Sequence, residues 1–64
     1  KMMNREQREQ TWIDLGLAGA LEMMNASCLL AERLTDEHLA SPTLLRGLMG
    51  TIAAEIVNVR TPPQ

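Results

Sequence analysis

The chain has no phenylalanine, no tyrosine and one aromatic residue, Trp12. Strands favour aromatic and β-branched side chains, so a core of Leu, Ala, Met and Ile argues against a sheet and for helices packed on helices. Cysteine occurs once, at Cys28, so no disulfide can form within the chain. One cysteine and one histidine are also too few to make a structural metal site expected. Charge of one sign is lacking as well. Six basic residues stand against eight acidic ones, net −2, and no global field draws the chain to nucleic acid or anionic lipid. The bases Lys1, Arg5, Arg8, Arg33, Arg46 and Arg60 are dispersed and make no stripe, which disfavours a nucleic-acid partner. Nor is there an uninterrupted apolar run. Asp14, Glu22 and Asn25 break the ~20 residues a membrane span needs and equally spoil a signal peptide. A cytoplasmic setting, no membrane association, no metal and no cofactor are therefore expected. Lys1 ahead of Met2 reads as an addition before a natural start.

What is present is apolar surface in excess. The stretch Trp12 to Leu34 reads as one amphipathic helix, in which Ile13, Leu17, Leu21, Met24, Cys28 and Ala31 stack on a line at about 100° per residue. Gly16, Ala20, Met23, Ser27, Leu30, Leu34 and Trp12 flank that line. The apolar arc is roughly 180° wide, where contact with one neighbour needs about 100°. Gly16, Gly19 and Ala20 form a small-residue cluster suited to close approach by another helix.

Upstream, residues 1–10 form a polar extension rich in helix formers. Asn4 with Gln7 three residues later is a capping-box pattern, as is Thr11 with Asp14. The longer alternative starts the first helix near residue 4 and carries it to about 34, with Arg5 and Glu9 placed to pair. In the connection, Thr35 either ends that helix or caps a single turn containing Asp36 and Glu37. Ser41-Pro42 marks a second helix start, because proline at the first helical position has no N–H to lose. That helix runs to about residue 60 with Leu44, Leu45, Leu48, Met49, Ile52, Ile56 and Val59 on one face. Thr61-Pro62-Pro63-Gln64 cannot extend it and is expected as an extended tail.

The expected architecture is a single all-α domain, residues 1–64, in which helices of about 4–34 and 42–60 form an antiparallel hairpin. One hairpin covers one side of the apolar arc, and two hairpins packed face to face close it as a homodimeric four-helix bundle. The side left for the second copy is Trp12, Gly16, Ala20, Met23, Ser27, Leu30 and Leu34. On the opposite, polar back, Leu15 and Leu29 with Ala18, Glu22 and Arg33 make a candidate docking strip for a protein partner.

No catalytic constellation is apparent. Asp36-Glu37-His38 is the one ionisable cluster with a histidine, and neighbouring residues on a turn point apart. Cys28, on the central line, is expected as a buried inert thiol. The function expected is that of a non-enzymatic protein-binding regulator: adaptor, inhibitor or chaperone-like modulator. A nucleic-acid-associated transcriptional regulator and a structural subunit of a hetero-oligomeric helical bundle are the alternatives.

Overall fold

The computed structural model describes residues 3–60, with the backbone alone at Arg60. Lys1, Met2 and the expected extended tail at 61–64 lie outside the described residues. Four helices and no strand occur among them: α1 (Arg5–Asp14), α2 (Ala20–Arg33), α3 (Asp36–Ala40) and α4 (Pro42–Arg60).

The helix starts follow local chemistry. Asn4 Oδ1 accepts from Gln7 N–H at 2.9 Å, and Gln7 Oε1 accepts from Asn4 N–H at 3.1 Å. This reciprocal capping box satisfies two orphan amides and starts α1 at Arg5. Arg5 and Glu9 pair one turn apart at 3.1 Å. Thr11 is not a cap. Its side chain is buried and its hydroxyl donates back to Gln7 C=O at 2.8 Å. Thr35 caps the five-residue α3, accepting from His38 N–H at 3.4 Å while its own N–H donates to His38 Nδ1 at 3.0 Å. Ser41 Oγ accepts from Leu44 N–H at 3.3 Å and opens α4 at Pro42.

The continuous helix expected over 4–34 does not form, because the chain breaks at 15–19. Leu15 N–H reaches Thr11 C=O at 3.0 Å, Gly16 N–H reaches Ile13 C=O at 3.0 Å, and Leu17 N–H reaches Trp12 C=O at 2.8 Å. Gly16 stands at φ +99. Bonds from the last two of these amides to the third- and second-last helical carbonyls define a Schellman stop, whose left-handed residue is glycine because a Cβ is strained there. The apolar contact that accompanies this motif joins Leu17 to Trp12, and both are fully buried. Gly16 thus ends a helix, where it was read as a small residue inside one. α2 restarts after Gly19, with Met23 N–H on Gly19 C=O at 2.9 Å.

The core is Trp12, Leu17, Ala26, Leu30, Leu45, Met49, Ile52 and Ala53, with Leu15, Met23, Leu29, Leu34, Leu48, Ile56 and Val57 packed around it. The core side of α4 is close to the expected face, shifted toward Ala53 and Val57, which leaves Leu44 and Val59 exposed. The core side of α2 is not the expected line. Leu21 is 65% exposed and Met24 58%, and Ile13, Cys28 and Ala31 are also exposed. The side actually buried runs through Met23, Ala26, Leu29 and Leu30.

The simple antiparallel hairpin is also modified. α4 packs on both α2 and α3. Arg33, at the end of α2, meets Glu55, which lies thirteen residues, about 20 Å, into α4. A tightly closed hairpin would bring Arg33 to the first turns of α4. The intervening α3 carries the chain away before α4 begins.

Two stability tests follow from this construction of the fold. Gly16→Ala should destabilise by about 1–2 kcal/mol from left-handed strain. Gly47→Ala, in exposed helix with open space around a new Cβ, should stabilise by about 0.5–1 kcal/mol. Chemical denaturation checks both, and the opposite signs separate backbone strain from helix propensity. The second test concerns Trp12, whose buried Nε1 has no hydrogen-bond partner among the described residues. Trp12→Ala should cost about 3–5 kcal/mol. Trp12→Phe should cost far less, since it also removes a buried unpaired donor that carries a penalty of about 1–3 kcal/mol.

Candidate functional site

A groove of about 650 Å³ runs between α2 and the C-terminal half of α4. Its apolar residues are Cys28 and Leu29 from α2 and Ile56 and Val59 from α4. Leu29 and Ile56 also pack on the core, so the floor is anchored, while Val59 stands 83% exposed. Glu22, Asn25, Glu32, Arg33 and Glu55 complete the lining. Heptad-like spacing explains the α2 wall. Glu22, Asn25, Leu29 and Glu32 follow one another at three or four residues and share an edge of the helix.

Arg33 and Glu55 tie the two helices together. Nη1 donates to Oε1 and Nη2 approaches Oε2, each at 3.0 Å. That fork-to-fork geometry is the favourable one for a guanidinium and a carboxylate. The hydrogen bond and the positive charge of Arg33 hold the Glu55 carboxyl below its ordinary range. Glu55 in turn raises Arg33 further, with a smaller contribution from Glu32. Both side chains are nearly half exposed, so solvent screens the pair and its contribution is modest. At the other end, Glu22 turns back toward the start of α2, where a Cβ on Gly19 would stand 2.6 Å from Glu22 Oε1.

A second cavity, about 740 Å³, gathers more polar groups: Asn4, Gln7, Gln10, Thr11 and His38, beside Met3, Leu39, Pro42 and Leu45. Its polar groups already bond within the chain, most of them to the backbone. Asn4 and Gln7 cap α1, Thr11 bonds to Gln7 C=O, His38 caps α3, and Gln10 Nε2 donates to Asp14 at 2.9 Å. The histidine singled out in the sequence therefore has a structural role, read as N3 partner of Thr35 rather than as ligand or base. Among the described residues no three metal-ligating side chains come together, and no helix is long and apolar enough to cross a membrane.

The structure divides the two residue sets expected from the sequence. Of the side assigned to a second copy, Trp12 and Leu30 are buried in the chain's own core and Met23 and Leu34 pack against it. Ser27 is half-buried, and Gly16 and Ala20 are exposed. The break at Gly16 is the cause, since it frees α1 from the axis of α2 and lets Trp12 enter the core. Of the docking strip, Glu22, Leu29 and Arg33 line the groove. Leu15 and Ala18 fall in the 15–19 break, off the axis of α2, and Leu15 packs on the core beside Pro42, Thr43, Arg46 and Gly47. Leu15 and Leu29 thus do not form one exposed line. The α4 contribution, Glu55, Ile56 and Val59, was missed as a site. Glu55 beside an apolar face is the sequence signal that points to it.

No family model matches the chain, and neither curated proteins nor solved structures provide a match.

The Arg33–Glu55 pair gives a definite pH dependence. A carboxyl lowered in the folded state contributes stability that is present above its unfolded pKa and is lost as pH falls through the folded one. Wild type should therefore exceed Glu55→Gln in stability near neutral pH, and the gap should close under acid. Urea denaturation of both proteins across the carboxylate range checks this. A gap that widens on acidification would contradict the pairing.

Proposed function

We propose that the protein is a small non-enzymatic protein-binding module that self-associates as a homodimer and regulates another protein by docking to it. The observation that carries this reading is the outer side of α2. Leu21, Met24, Cys28 and Ala31 follow at spacings of three, four and three, and all four are exposed. That is the a/d seam of a helix prepared for another helix. The core of the chain already occupies the opposite side of α2, so nothing within the described residues covers the seam.

A second copy suits the seam in an antiparallel register centred at residue 26. Leu21 of one copy then lies opposite Ala31 of the other, and Met24 opposite Cys28. Each large side chain meets a small one, which keeps the helix separation even along the seam. The flanks bring no like charges together near the centre, since Ala20, Asn25 and Ser27 border it. In this arrangement α2 and α4 of both copies supply four helices, the homodimeric bundle of the sequence reading rebuilt around a different side of α2.

Magnitudes make the dimer reversible. Leu21 and Met24 from two copies are four large side chains, each contributing about 1–2 kcal/mol on burial of what is now exposed. Their sum is of the same order as the lower end of the ~4–15 kcal/mol cost of association. The chain has a core of its own, so folding and association separate. Leu21→Asp with Met24→Asp should keep full helicity and give monomer mass, whereas wild type should pass from monomer to dimer with rising concentration. Light scattering with circular dichroism tests both statements. Wild type that stays monomeric throughout removes the homodimer, and loss of helicity in the double variant returns those residues to the core.

A further inference from the structure

We propose that the groove between α2 and α4 is the docking site for a cationic amphipathic helix of a partner protein. This rests on the protein-binding reading above and names the kind of partner. Three observations carry it. The first is shape. The groove lies between two packed helices, has an apolar floor of Leu29 and Ile56 edged by exposed Cys28 and Val59, and follows α2 from Glu22 to Arg33. Those eleven steps span about 16 Å, the length of a three-turn helix. An amphipathic helix laid in a groove between two others is a recurrent recognition mode, with anchors at i, i+3 or i+4 and i+7.

The second is charge. The lining holds Glu22, Glu32 and Glu55 against Arg33, three negative and one positive, hence net −2. Arg33 is engaged by Glu55 in a two-bond pair, and exposed Glu32 stands beside that pair on the rim. A helix with lysines or arginines flanking its apolar stripe matches this rim, and an acidic one is repelled.

The third is that none of the described helices matches such a partner. α1 carries Arg5 and Arg8 among Glu6 and Glu9, with Arg5 already bonded to Glu9. The described part of α4 before Arg60 has Arg46 as its one base, and Arg33 of α2 already belongs to the groove. Among the described residues no helix of a second copy presents an apolar stripe with cations on both flanks, which favours a different chain as the occupant.

The test uses the full chain carrying Met24→Asp, which keeps a seam dimer from shielding Cys28. The probes are two synthetic helical peptides of roughly four turns. They share leucines at the i, i+3, i+4, i+7 spacing and differ in having lysine or glutamate at every flanking position. The lysine peptide should bind, with affinity falling steeply as salt is raised, and should slow alkylation of Cys28. The glutamate peptide should bind at least about tenfold more weakly. Glu32→Lys with Val59→Lys, both at exposed positions, should weaken the lysine peptide at least about tenfold while circular dichroism stays unchanged. Equal binding of the two peptides, unchanged binding by the charge-reversed variant, or no binding by either peptide overturns the proposal. So does slowing of Cys28 alkylation by protein concentration alone that Val59→Lys relieves, for then a second copy fills the groove. Each of these results leaves the seam dimer to be judged separately, by mass, in protein without Met24→Asp.

Discussion

Everything in this fold depends on how α1 stops. The chain reaches Trp12 with a large apolar side chain that has to be buried and with carbonyls at the helix end that need donors. Gly16, in the left-handed region, turns the backbone so that its own N–H and that of Leu17 meet Ile13 and Trp12. The same turn seats Leu17 on Trp12, and the two become fully buried together. A straight helix of thirty residues, about 45 Å long, could not bring Trp12 back toward the middle of α2. Stopping at Asp14 and restarting at Ala20 can, and it converts an elongated hairpin into a chain with its own three-sided core.

Where the sequence could be read, it was read through local chemistry. Asn4 with Gln7 and Ser41-Pro42 each mark a helix start, and Thr35 takes the capping one of its two readings, because capping is decided within three or four residues. The core side of α4 was also legible, its apolar spacing being undisturbed from Leu45 to Ile56. The stop at Gly16 was less visible, because Gly16 and Gly19 sit inside a stretch whose apolar period looks continuous. Period alone cannot register a break. Ile13, Leu17 and Leu21 keep their helical spacing on paper while the chain between them turns, and the phase inferred from one side of the break is carried falsely to the other.

That loss of phase explains why the wrong side of α2 looked buried. Glu22 and Arg33 made the Ala26–Leu29 side look like a solvated back. Both charges, however, lie near the ends of α2, where Arg33 meets Glu55 of α4 and Glu22 turns back toward Gly19. Charges at the ends of a helix say little about its middle, where Ala26 is fully buried and Leu29 packs on the core. Small Ala26 also permits α4 to come close. The wide arc inferred from the sequence was therefore real, and α2 does have two apolar sides. The intramolecular core took the one carrying charges at its ends, leaving the charge-free seam of Leu21, Met24, Cys28 and Ala31 outside.

Two surfaces with different chemistry thus meet along one helix. The seam is apolar and exposed, while the groove has an apolar floor under an acidic rim. Cys28 belongs to both, as an a-type position of the seam and part of the groove floor. A second copy seated on the seam and a foreign helix seated in the groove would therefore approach the same thiol from adjacent directions. Helices pack at axis separations of roughly 8–10 Å, and the two occupants would be separated by little more than the width of α2 itself. Were both surfaces occupied, such neighbours would clash or touch, and occupation of one would then alter affinity at the other, reciprocally by linkage. The sign depends on the charges each occupant carries past Glu32. A cationic helix in the groove neutralises the one carboxylate that borders the seam, which would favour self-association.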